Sequence, residues 1–416
     1  MRKEIIVLGA GIVGVSTALA LQLSGHQVQL LDRKLPGRET SFGNAGVLSD
    51  SSVYVFNNPG LLRALPGLIA NRSNSLRYDL GFVMRRLGWM LKFLSNCRKK
   101  QVMRSARAIR ALLKLSLNEH KKWISAAGAT DLLRVGGGWL KLFRTEAGFA
   151  RYEEEMRCMT DVGVNFTVYE KEEIRQLEPA LNPIFIRAVL MDDTCSISNP
   201  AGLTDAYVSL FRANGGIVSL DSVNGLSDRK GDGWCVTGEK KKYFGDHVVI
   251  SAGAWSAEIA SWLGYDIPMA WERGYHSHIE PVASMRLNRP ILDMEGGFSI
   301  APMGEGMRVT SGVEITARDA PPNYDQIKRV VKLAKQALPL GEEKTIKPWM
   351  GRRPTLVDSL PMIGCAPRHK ALWFNFGHQH IGLSMGPGSG ILIRALIDGI
   401  IPPIAAEPFR PSRFII

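Results

Sequence analysis

Cysteine is scarce in this sequence of 416 residues, and its five cysteines follow no spacing pattern: Cys97, Cys158, Cys195, Cys235 and Cys365. Their number is odd, and no two of them are separated by two residues. A disulfide framework, a cysteine zinc site and a redox dithiol all require paired or closely spaced cysteines. The sequence argues against all three and suits a reducing compartment. The histidines also lack metal-ligand spacing with acidic partners, so we expect no metal site.

Long apolar runs are also missing. Beyond residues 1–22, no run is long and apolar enough to span a bilayer. Those first residues, MRKEIIVLGAGIVGVSTALALQ, combine two basic residues with an apolar stretch, as a signal peptide does. The glycine spacing within them favours a strand, a glycine turn and a buried helix instead. We therefore expect a cytoplasmic protein.

Acidic residues are nearly absent between Gly60 and Arg110. This stretch holds one acid, Asp79, and twelve basic residues, which leaves it at +11 in a chain whose total is +13. The basic residues are Arg63, Arg72, Arg77, Arg85, Arg86, Lys92, Arg98, Lys99, Lys100, Arg104, Arg107 and Arg110. Such a concentration of one sign suggests a surface that meets an anionic partner.

Residues 82–94, FVMRRLGWMLKFL, combine this charge with an apolar helical face. The face comprises Phe82, Val83, Leu87, Met90, Leu91 and Leu94, widened by Trp89 and Phe93. Arg85, Arg86 and Lys92 flank it. A basic amphipathic helix that carries tryptophan is typical of proteins that bind a membrane surface. Two alternatives stay open: a core-facing helix with a solvated basic edge, and a nucleic-acid surface, which we expect least.

Glycine is abundant, and three glycines near the start form the motif G-x-G-x-x-G: Gly9, Gly11 and Gly14. The motif follows the apolar run KEIIVLG and opens a helical segment, after which HQVQLLD predicts a second strand that ends at Asp32. These glycines permit a tight turn, close approach of a pyrophosphate and close packing of helix on strand. The helix N-terminus attracts phosphate, and a terminal acid accepts a ribose hydroxyl. The unit therefore predicts a dinucleotide site.

Two further segments favour FAD over a nicotinamide cofactor. A nicotinamide site would not need the long loop at 33–49, which is rich in Gly, Ser and Asn and has no helical or strand period. The apolar strand in VVISAGAWS (248–256) ends in small residues, which allow the backbone to pass close to a bound cofactor.

Segments typical of parallel and antiparallel strands alternate in blocks, which predicts two interleaved domains. The predicted fold class is α/β, with a Rossmann-like FAD-binding domain interleaved with an α+β substrate domain on a mixed, largely antiparallel sheet. The FAD-binding domain is expected at 1–52, 191–262 and 350–416. The substrate domain is expected at 53–190 and 263–349, including the basic helical region 60–110.

A family resemblance extends over nearly the whole chain. It is carried by the glycine motif, by Asp32, by ETSFGNAGVLS (39–49) and ISAGAWS (250–256), and by GRRPTLVDSLPMIG (351–364) with FGHQHIGLSMGPGSG (376–390). Together these segments resemble the FAD-dependent amino-acid oxidase family, which includes D-amino-acid dehydrogenases, glycine oxidases and sarcosine oxidases. The sequence is most similar to bacterial D-amino-acid dehydrogenases of the small-subunit type and to related hydroxyproline and glyphosate oxidoreductases.

The resemblance implies a set of FAD-binding positions. They are Gly9, Gly11, Ile12, Val13, Gly14, Asp32, Arg33, Ser41, Asn44, Ala45, Gly46, Val47, Val223, Ser251, Ala252, Gly253, Trp255, Gly351, Arg353, Gly377, His378, Gly382, Leu383 and Ser384. Sarcosine-oxidase relatives attach the flavin through a cysteine near the position of Gly351, so the resemblance implies non-covalent FAD here. A helix that starts near Gly386–Ser389 would direct its positive end at the flavin and favour its reduction.

The resemblance also implies the catalytic residues. Arg353, before the proline of the RP motif, would bind the substrate carboxylate, and its planar guanidinium suits bidentate binding. His380 would lie on the substrate side, although a lone histidine can equally be a hydrogen-bonding core residue. Tyr275 and His276 alternate faces of one strand, so we expect only one of them to reach the pocket. Glycine-oxidase relatives carry tyrosine near Phe298, which counts against glycine-oxidase-like binding.

The resemblance implies oxidative deamination of a D-amino acid, or of a D-imino acid such as a hydroxyproline, to the 2-oxo acid or imine. The electrons would pass to a quinone or another respiratory-chain acceptor, with peripheral binding to the inner face of the cytoplasmic membrane through residues 60–110. One alternative is a soluble oxidase of glycine or secondary amines of the glyphosate type that uses oxygen. Another is a flavoprotein that binds RNA.

Overall fold

A computed structural model describes residues 2–68, 71, 73–282, 285–344 and 346–414. Its α-helices are α1 (Ile12–Leu23), α2 (Pro59–Leu68), α3 (Leu80–Arg85), α4 (Leu87–Ser95), α5 (Lys99–Ala126), α6 (Glu146–Asp161), α7 (Lys171–Leu177), α8 (Pro200–Ala213), α9 (Ser256–Ser261), α10 (Asp325–Ala337) and α11 (Gly382–Asp398). None of the helices in these described ranges is long and apolar enough to cross a membrane.

The strands of the first half are β1 (Glu4–Leu8), β2 (Gln27–Asp32), β3 (Val47–Leu48), β4 (Leu76–Tyr78), β5 (Leu133–Arg134), β6 (Trp139–Phe143), β7 (Phe166–Glu170), β8 (Arg187–Met191), β9 (Cys195–Ile197), β10 (Ile217–Leu220) and β11 (Val223–Asp228). Those of the second half are β12 (Trp234–Gly238), β13 (Lys242–Gly245), β14 (His247–Ile250), β15 (Met269–Pro281), β16 (Ile291–Asp293), β17 (Phe298–Met303), β18 (Gly306–Thr310), β19 (Val313–Ile315), β20 (Leu340–Glu343), β21 (Trp349–Leu356), β22 (Met362–Cys365) and β23 (Leu372–Phe376).

The first large sheet is mainly parallel, with the strand order β10-β2-β1-β14-β23-β22 and only β22 antiparallel to its neighbour among the described strands. The apolar run of β1 is buried from Ile5 to Leu8, as expected for a central parallel strand covered on both faces. Leu8 pairs with Leu31 and with Ile250, so the carboxyl ends of β1, β2 and β14 meet at one edge. Ligands bind at this edge in open parallel sheets.

Helices α1 and α11 pack on this sheet and on each other, and α5 packs on α11. A Cβ at Gly390 would lie 2.6 Å from the carbonyl oxygen of Ser16, so glycine lets α11 approach α1. Pro387 lies inside α11 and has no N–H to donate to the carbonyl of Leu383. His120 Nε2, on α5, donates to that carbonyl instead, at 2.8 Å. The helix therefore continues through its proline and begins at Gly382, earlier than the sequence predicts.

The second large sheet is mixed and mainly antiparallel, with the order β4-β19-β15-β18-β17-β16-β6-β8-β7, and β20 and β21 also pair with β15. Helix α10 covers it, and Ile327, Val330 and Val331 of that helix pack with Tyr275 and Val309 of the sheet in one buried cluster. The two sheets confirm the predicted fold class.

The domain boundaries remain predictions, but the pairing of β21 bears on one of them. This strand pairs with β15 from Trp349 to Leu356, so the mixed sheet continues past the expected boundary at residue 350. β22 and β23, which follow it, belong to the parallel sheet. The strand therefore leads the chain from one sheet to the other.

The basic region contains α2 to α5, and part of its charge is paired. Arg110 is buried and donates to Asp50 at 2.6 Å, Arg104 pairs with Glu407 at 3.2 Å, and Arg63 pairs with Glu154. Arg72 lies outside the described residues. The free positive charge of the region is therefore smaller than its sequence implies.

The predicted apolar face at 82–94 is wrong in part. Phe82, Trp89 and Phe93 are buried in the protein, and Trp89 Nε1 donates to the carbonyl of Pro268 at 3.0 Å. The chain is also divided into α3 and α4 at Arg86, which changes the direction of the side chains that follow. The aromatic residues consequently anchor these helices and are not exposed with Leu87 and Leu91.

Candidate active site

The glycine motif forms a tight turn between β1 and α1. Gly9 has a φ of +102°, and a Cβ there would lie 2.5 Å from the carbonyl oxygen of Ser251 on the neighbouring strand end. A Cβ at Gly14 would lie 1.8 Å from the carbonyl oxygen of Gly9, so this glycine permits α1 to pack on the turn. The start of α1 lies at the same edge of the sheet, where the N–H of Ile12 donates to Ser41 Oγ at 2.9 Å.

Asp32, at the end of β2, holds this turn in place. One oxygen of its carboxylate accepts a hydrogen bond from the backbone N–H of Ala10 at 2.6 Å, and the other accepts from Lys34 at 3.0 Å. Burial raises the pKa of Asp32, although these hydrogen bonds oppose that effect. Next to it, the Arg33 guanidinium stacks over Trp255 at 4.2 Å.

A cavity of about 740 Å³ extends from this turn to the mixed sheet. Every position implied for FAD binding lines it, with the exceptions of Gly14 and Gly46. Gly14 lies behind the turn. Gly46 has a φ of +71°, and a Cβ added to it would lie 2.2 Å from the carbonyl oxygen of Ile197. Both glycines therefore shape the wall from behind it.

Arg353 reaches the cavity from β21. Its guanidinium lies against Gly274 on β15, where an added Cβ would be 2.3 Å from Nη2. Among the residues that the structure describes, none accepts a hydrogen bond from this guanidinium or forms an ion pair with it within 4 Å. Burial lowers the pKa of Arg353, and the carboxylate of Glu272, its partner across the two strands, opposes that effect.

Arg352 points the other way. Its Nε donates to the carbonyl of Arg318 at 2.8 Å and lies 3.8 Å from Asp319 Oδ1. The guanidinium also lies near the ring of Trp255. The two neighbouring arginines thus follow the alternation of a strand, and only Arg353 presents an unpaired guanidinium to the cavity.

His380 lines the cavity close to these strands, and its ring is open to the cavity space. Desolvation lowers its pKa to about 4, and the positive charges of Arg353 and Lys141 add to this effect. The imidazole is therefore neutral at pH 7 and able to accept a hydrogen bond.

Tyr275 and His276 do alternate across β15, but neither side chain lines the cavity. The Tyr275 hydroxyl donates to Glu314 at 2.5 Å and is fully buried, which raises its pKa to about 12. His276 stacks on Trp349 at 4.9 Å, and burial lowers its pKa to about 2. The expectation that one of them reaches the pocket does not fit this placement, because both faces of β15 are covered at these positions.

Comparison with known proteins bears on these observations. The family model described as "FAD dependent oxidoreductase" (DAO) matches residues 4–396. This chain belongs to the FAD-dependent oxidoreductase family. The family fixes the cofactor as FAD.

Curated relatives match over nearly their whole length. The chain is 30% identical to a D-amino-acid oxidase of Bradyrhizobium diazoefficiens, over 99% of each chain. It is 29% identical to D-amino acid dehydrogenase 2 of Ralstonia nicotianae, over 99% of this chain and 100% of the relative.

Solved structures share the fold at lower identity. Glycine oxidase from Geobacillus kaustophilus has a TM-score of 0.75 at 18% identity and covers 100% of both chains. L-proline dehydrogenase from P. horikoshii has a TM-score of 0.76 at 18% identity, over 99% of this chain and 98% of that one.

The cavity of this family member fits FAD. The turn at Gly9 and Gly11 leaves room for a pyrophosphate, and Asp32 lies at the strand end where a ribose binds. Several buried polar atoms of cavity-lining residues also have no hydrogen-bond partner within the described ranges: Ser251 Oγ, Asn375 Oδ1, His378 Nε2, Thr310 Oγ1 and Trp139 Nε1. Buried polar atoms without partners are rare, so these indicate a polar ligand in the cavity.

The sequence-based prediction missed a charged cluster that also lines the cavity. Trp139, Lys141, Glu155 and Tyr54 all line it. None of these four residues is among the positions that the sequence predicts for the site. A lysine between two leucines of an apolar strand was the available signal, since lysine is almost never buried without a partner.

Proposed function

We propose that the protein oxidises a D-amino acid, or a D-imino acid, to the corresponding imine and 2-oxo acid. The observation that carries the proposal is Arg353, whose unpaired guanidinium faces the cavity. A partly buried cation without a hydrogen-bond partner costs free energy, and a ligand carboxylate would reduce that cost. The names of the curated relatives support an amino acid of the D series.

Arg353 would bind the carboxylate through two parallel hydrogen bonds and so fix the orientation of Cα. FAD, when bound, supplies the electron-accepting chemistry that removes the hydrogen of Cα. We propose that neutral His380 accepts a hydrogen bond from the substrate amine, which must be uncharged to be oxidised. Gly377 and Gly382, which line the cavity at the start of α11, would hold the cofactor beside Arg353.

The soluble glycine or secondary-amine oxidase remains the second candidate. Phe298 lines the cavity without a hydroxyl, which counts against glycine-oxidase-like binding. The likeness to glycine oxidase at 18% identity concerns the fold alone.

We also propose that the electrons pass to a quinone at a membrane surface. The described residues of α3 and α4 expose Leu80 (65%), Met84 (56%), Leu87 (45%) and Leu91 (66%), and we call these the α3–α4 surface. Arg85, Arg86 and Lys92 are exposed beside them. Apolar side chains flanked by basic ones suit the interface of an anionic bilayer, here the inner face of the cytoplasmic membrane. Only the basic residues of the region 60–110 support an RNA-binding role.

The experiment is anaerobic bleaching of the flavin absorbance by a panel of D- and L-amino acids, D-proline derivatives and glycine. We expect bleaching by D substrates, followed by reoxidation that is faster with a soluble quinone than with oxygen. Rapid reoxidation by oxygen with formation of hydrogen peroxide would favour the oxidase instead. Bleaching by no amino acid would contradict the proposal.

The attachment of the flavin is tested separately. Gly351 carries no side chain to bond the cofactor, so we propose non-covalent FAD. Acid precipitation should release the yellow colour into the supernatant, and colour that stays in the washed pellet would contradict this.

A further inference from the structure

Strand β6 presents two polar side chains to the cavity. Trp139 and Lys141 are two residues apart, so they lie on the same face of the strand, and both line the cavity. Leu140 and Leu142, on the other face, are fully buried in the core of the mixed sheet. The sheet therefore holds this pair rigidly.

Lys141 is buried but only partly satisfied. Its Nζ donates to Glu155 Oε1 at 2.7 Å and lies 5.0 and 4.9 Å from the ring centres of Trp139 and Tyr152. The side chains of Lys141 and Glu155 are 6% and 19% exposed. An ammonium group has three N–H donors, and within the described residues Glu155 is the only hydrogen-bond acceptor of Lys141. The Tyr152 hydroxyl also donates to Glu155 Oε1, which leaves Oε2 without a hydrogen bond there.

Two further donors surround this ion pair. Trp139 Nε1 is buried and has no acceptor in the described part of the chain. The Tyr54 hydroxyl lines the same cavity, and burial together with Glu154 and Glu155 raises its pKa, so it stays protonated at neutral pH. The cluster thus offers several unused N–H and O–H groups and one unused carboxylate oxygen.

The cluster belongs to the same cavity as Arg353. Lys141 pairs across the sheet with Leu292, which also lines the cavity. His380 is close enough to both Arg353 and Lys141 that each cation lowers its pKa. A substrate whose carboxylate lies at Arg353 could therefore extend its side chain past His380 towards Lys141.

We propose that Lys141, Trp139 and Glu155 bind a hydroxyl or amide group on the substrate side chain. Lys141 and Trp139 donate to its oxygen, and Glu155 accepts from its O–H or N–H. A side-chain carboxylate is disfavoured because Lys141 is already neutralised by Glu155. An aliphatic side chain is disfavoured because it would leave these buried donors unpaired. The assignment rests on the proposed oxidation of amino acids at Arg353.

The test is the ratio of kcat/KM for matched substrate pairs, in the enantiomer that the enzyme accepts. Suitable pairs are homoserine with norvaline, threonine with valine, and glutamine with glutamate. We expect the wild type to prefer the hydroxyl or amide member by about tenfold or more. Lys141→Met and Trp139→Phe should each lower the ratio for the two hydroxyl pairs towards one. For glutamine with glutamate, Lys141→Met leaves the carboxylate of Glu155 without its cation, so we expect this ratio to fall only when Glu155→Gln is added. Lys122→Met, which removes an exposed lysine paired with Glu119 at 2.7 Å, should leave the ratio unchanged.

The variants separate this assignment from loss of folding. Trp139→Phe keeps the Lys141–Glu155 pair, and Lys141→Met combined with Glu155→Gln avoids leaving a carboxylate unpaired. Ratios that stay at the wild-type value in all of these variants would overturn the subsite while the proposed function stands. A preference for glutamate over glutamine would overturn it in favour of an anion site. Bleaching by no amino acid would overturn the proposed function and the subsite together.

Discussion

The guanidinium of Arg353 occupies the space that a side chain at Gly274 would fill. The two residues lie on paired strands, and a Cβ at Gly274 would be 2.3 Å from Nη2 and 2.6 Å from Cζ of the arginine. Glu272, two residues before Gly274, is the direct cross-strand partner of Arg353. Gly274 therefore leaves the space in which the guanidinium lies, and the carboxylate of Glu272 is a neighbouring opposite charge.

Gly274→Ala should therefore displace the guanidinium without removing it. We expect KM for the amino acid to rise about 10- to 100-fold, because a misplaced carboxylate anchor weakens binding and orientation. Steady-state kinetics with bound flavin measured in parallel checks this. Gly304→Ala is the control, because an added Cβ there meets no atom within 4 Å. Unchanged KM in Gly274→Ala would show that the guanidinium position is not critical.

His276 should make stability depend on pH. Its pKa is lowered to about 2 in the folded protein, whereas an unfolded histidine titrates near 6.5. Below pH 6.5 the unfolded chain therefore binds more protons at this residue, and stability falls as pH falls, by about 1.4 kcal/mol per pH unit. Denaturant unfolding at pH 6.5 and 5.0 should show a smaller loss for His276→Phe than for the wild type. The same loss in both proteins would contradict the burial of a neutral imidazole.

The α3–α4 surface should bind anionic membranes. Leu87→Glu with Leu91→Glu places two negative charges on it, and we expect affinity for vesicles that contain phosphatidylglycerol to fall about tenfold or more. Vesicle sedimentation with neutral phosphatidylcholine as reference measures this. Leu23→Glu with Leu35→Glu, which alters apolar residues exposed elsewhere, should have little effect. Equal binding of both double variants would count against this surface.

Sequence reasoning succeeds where chemistry is local. The turn at Gly9 and the acid at Asp32 follow from a short motif, because a turn determines its own geometry. The family resemblance, and not the alternation of the strand, singled out Arg353 over Arg352. Sequence reasoning failed at Tyr275, whose hydroxyl bonds Glu314, since no local pattern reveals which face of a central strand is covered. The start of α11 was also missed, because the acceptor freed by Pro387 is satisfied by His120, distant in sequence.

Lys141 shows the remaining difficulty. Its position in an apolar strand was visible, but its ion pair with Glu155 on α6 and its place in the cavity depend on how a helix and two strands assemble. Only the three-dimensional arrangement brings Lys141 into the cavity that contains Arg353.

The most direct measurement is the second-order rate of anaerobic flavin bleaching in wild type, Arg353→Ala and Arg352→Ala. Because Arg353 alone of this pair faces the cavity unpaired, we expect its removal to lower the rate about 100-fold or more, the loss of two charge-assisted hydrogen bonds. Arg352→Ala, which breaks contacts with Arg318 and Asp319 outside the pocket, should change it less than about threefold. Equal effects of the two substitutions, or a larger effect at Arg352, would contradict Arg353 as the carboxylate anchor.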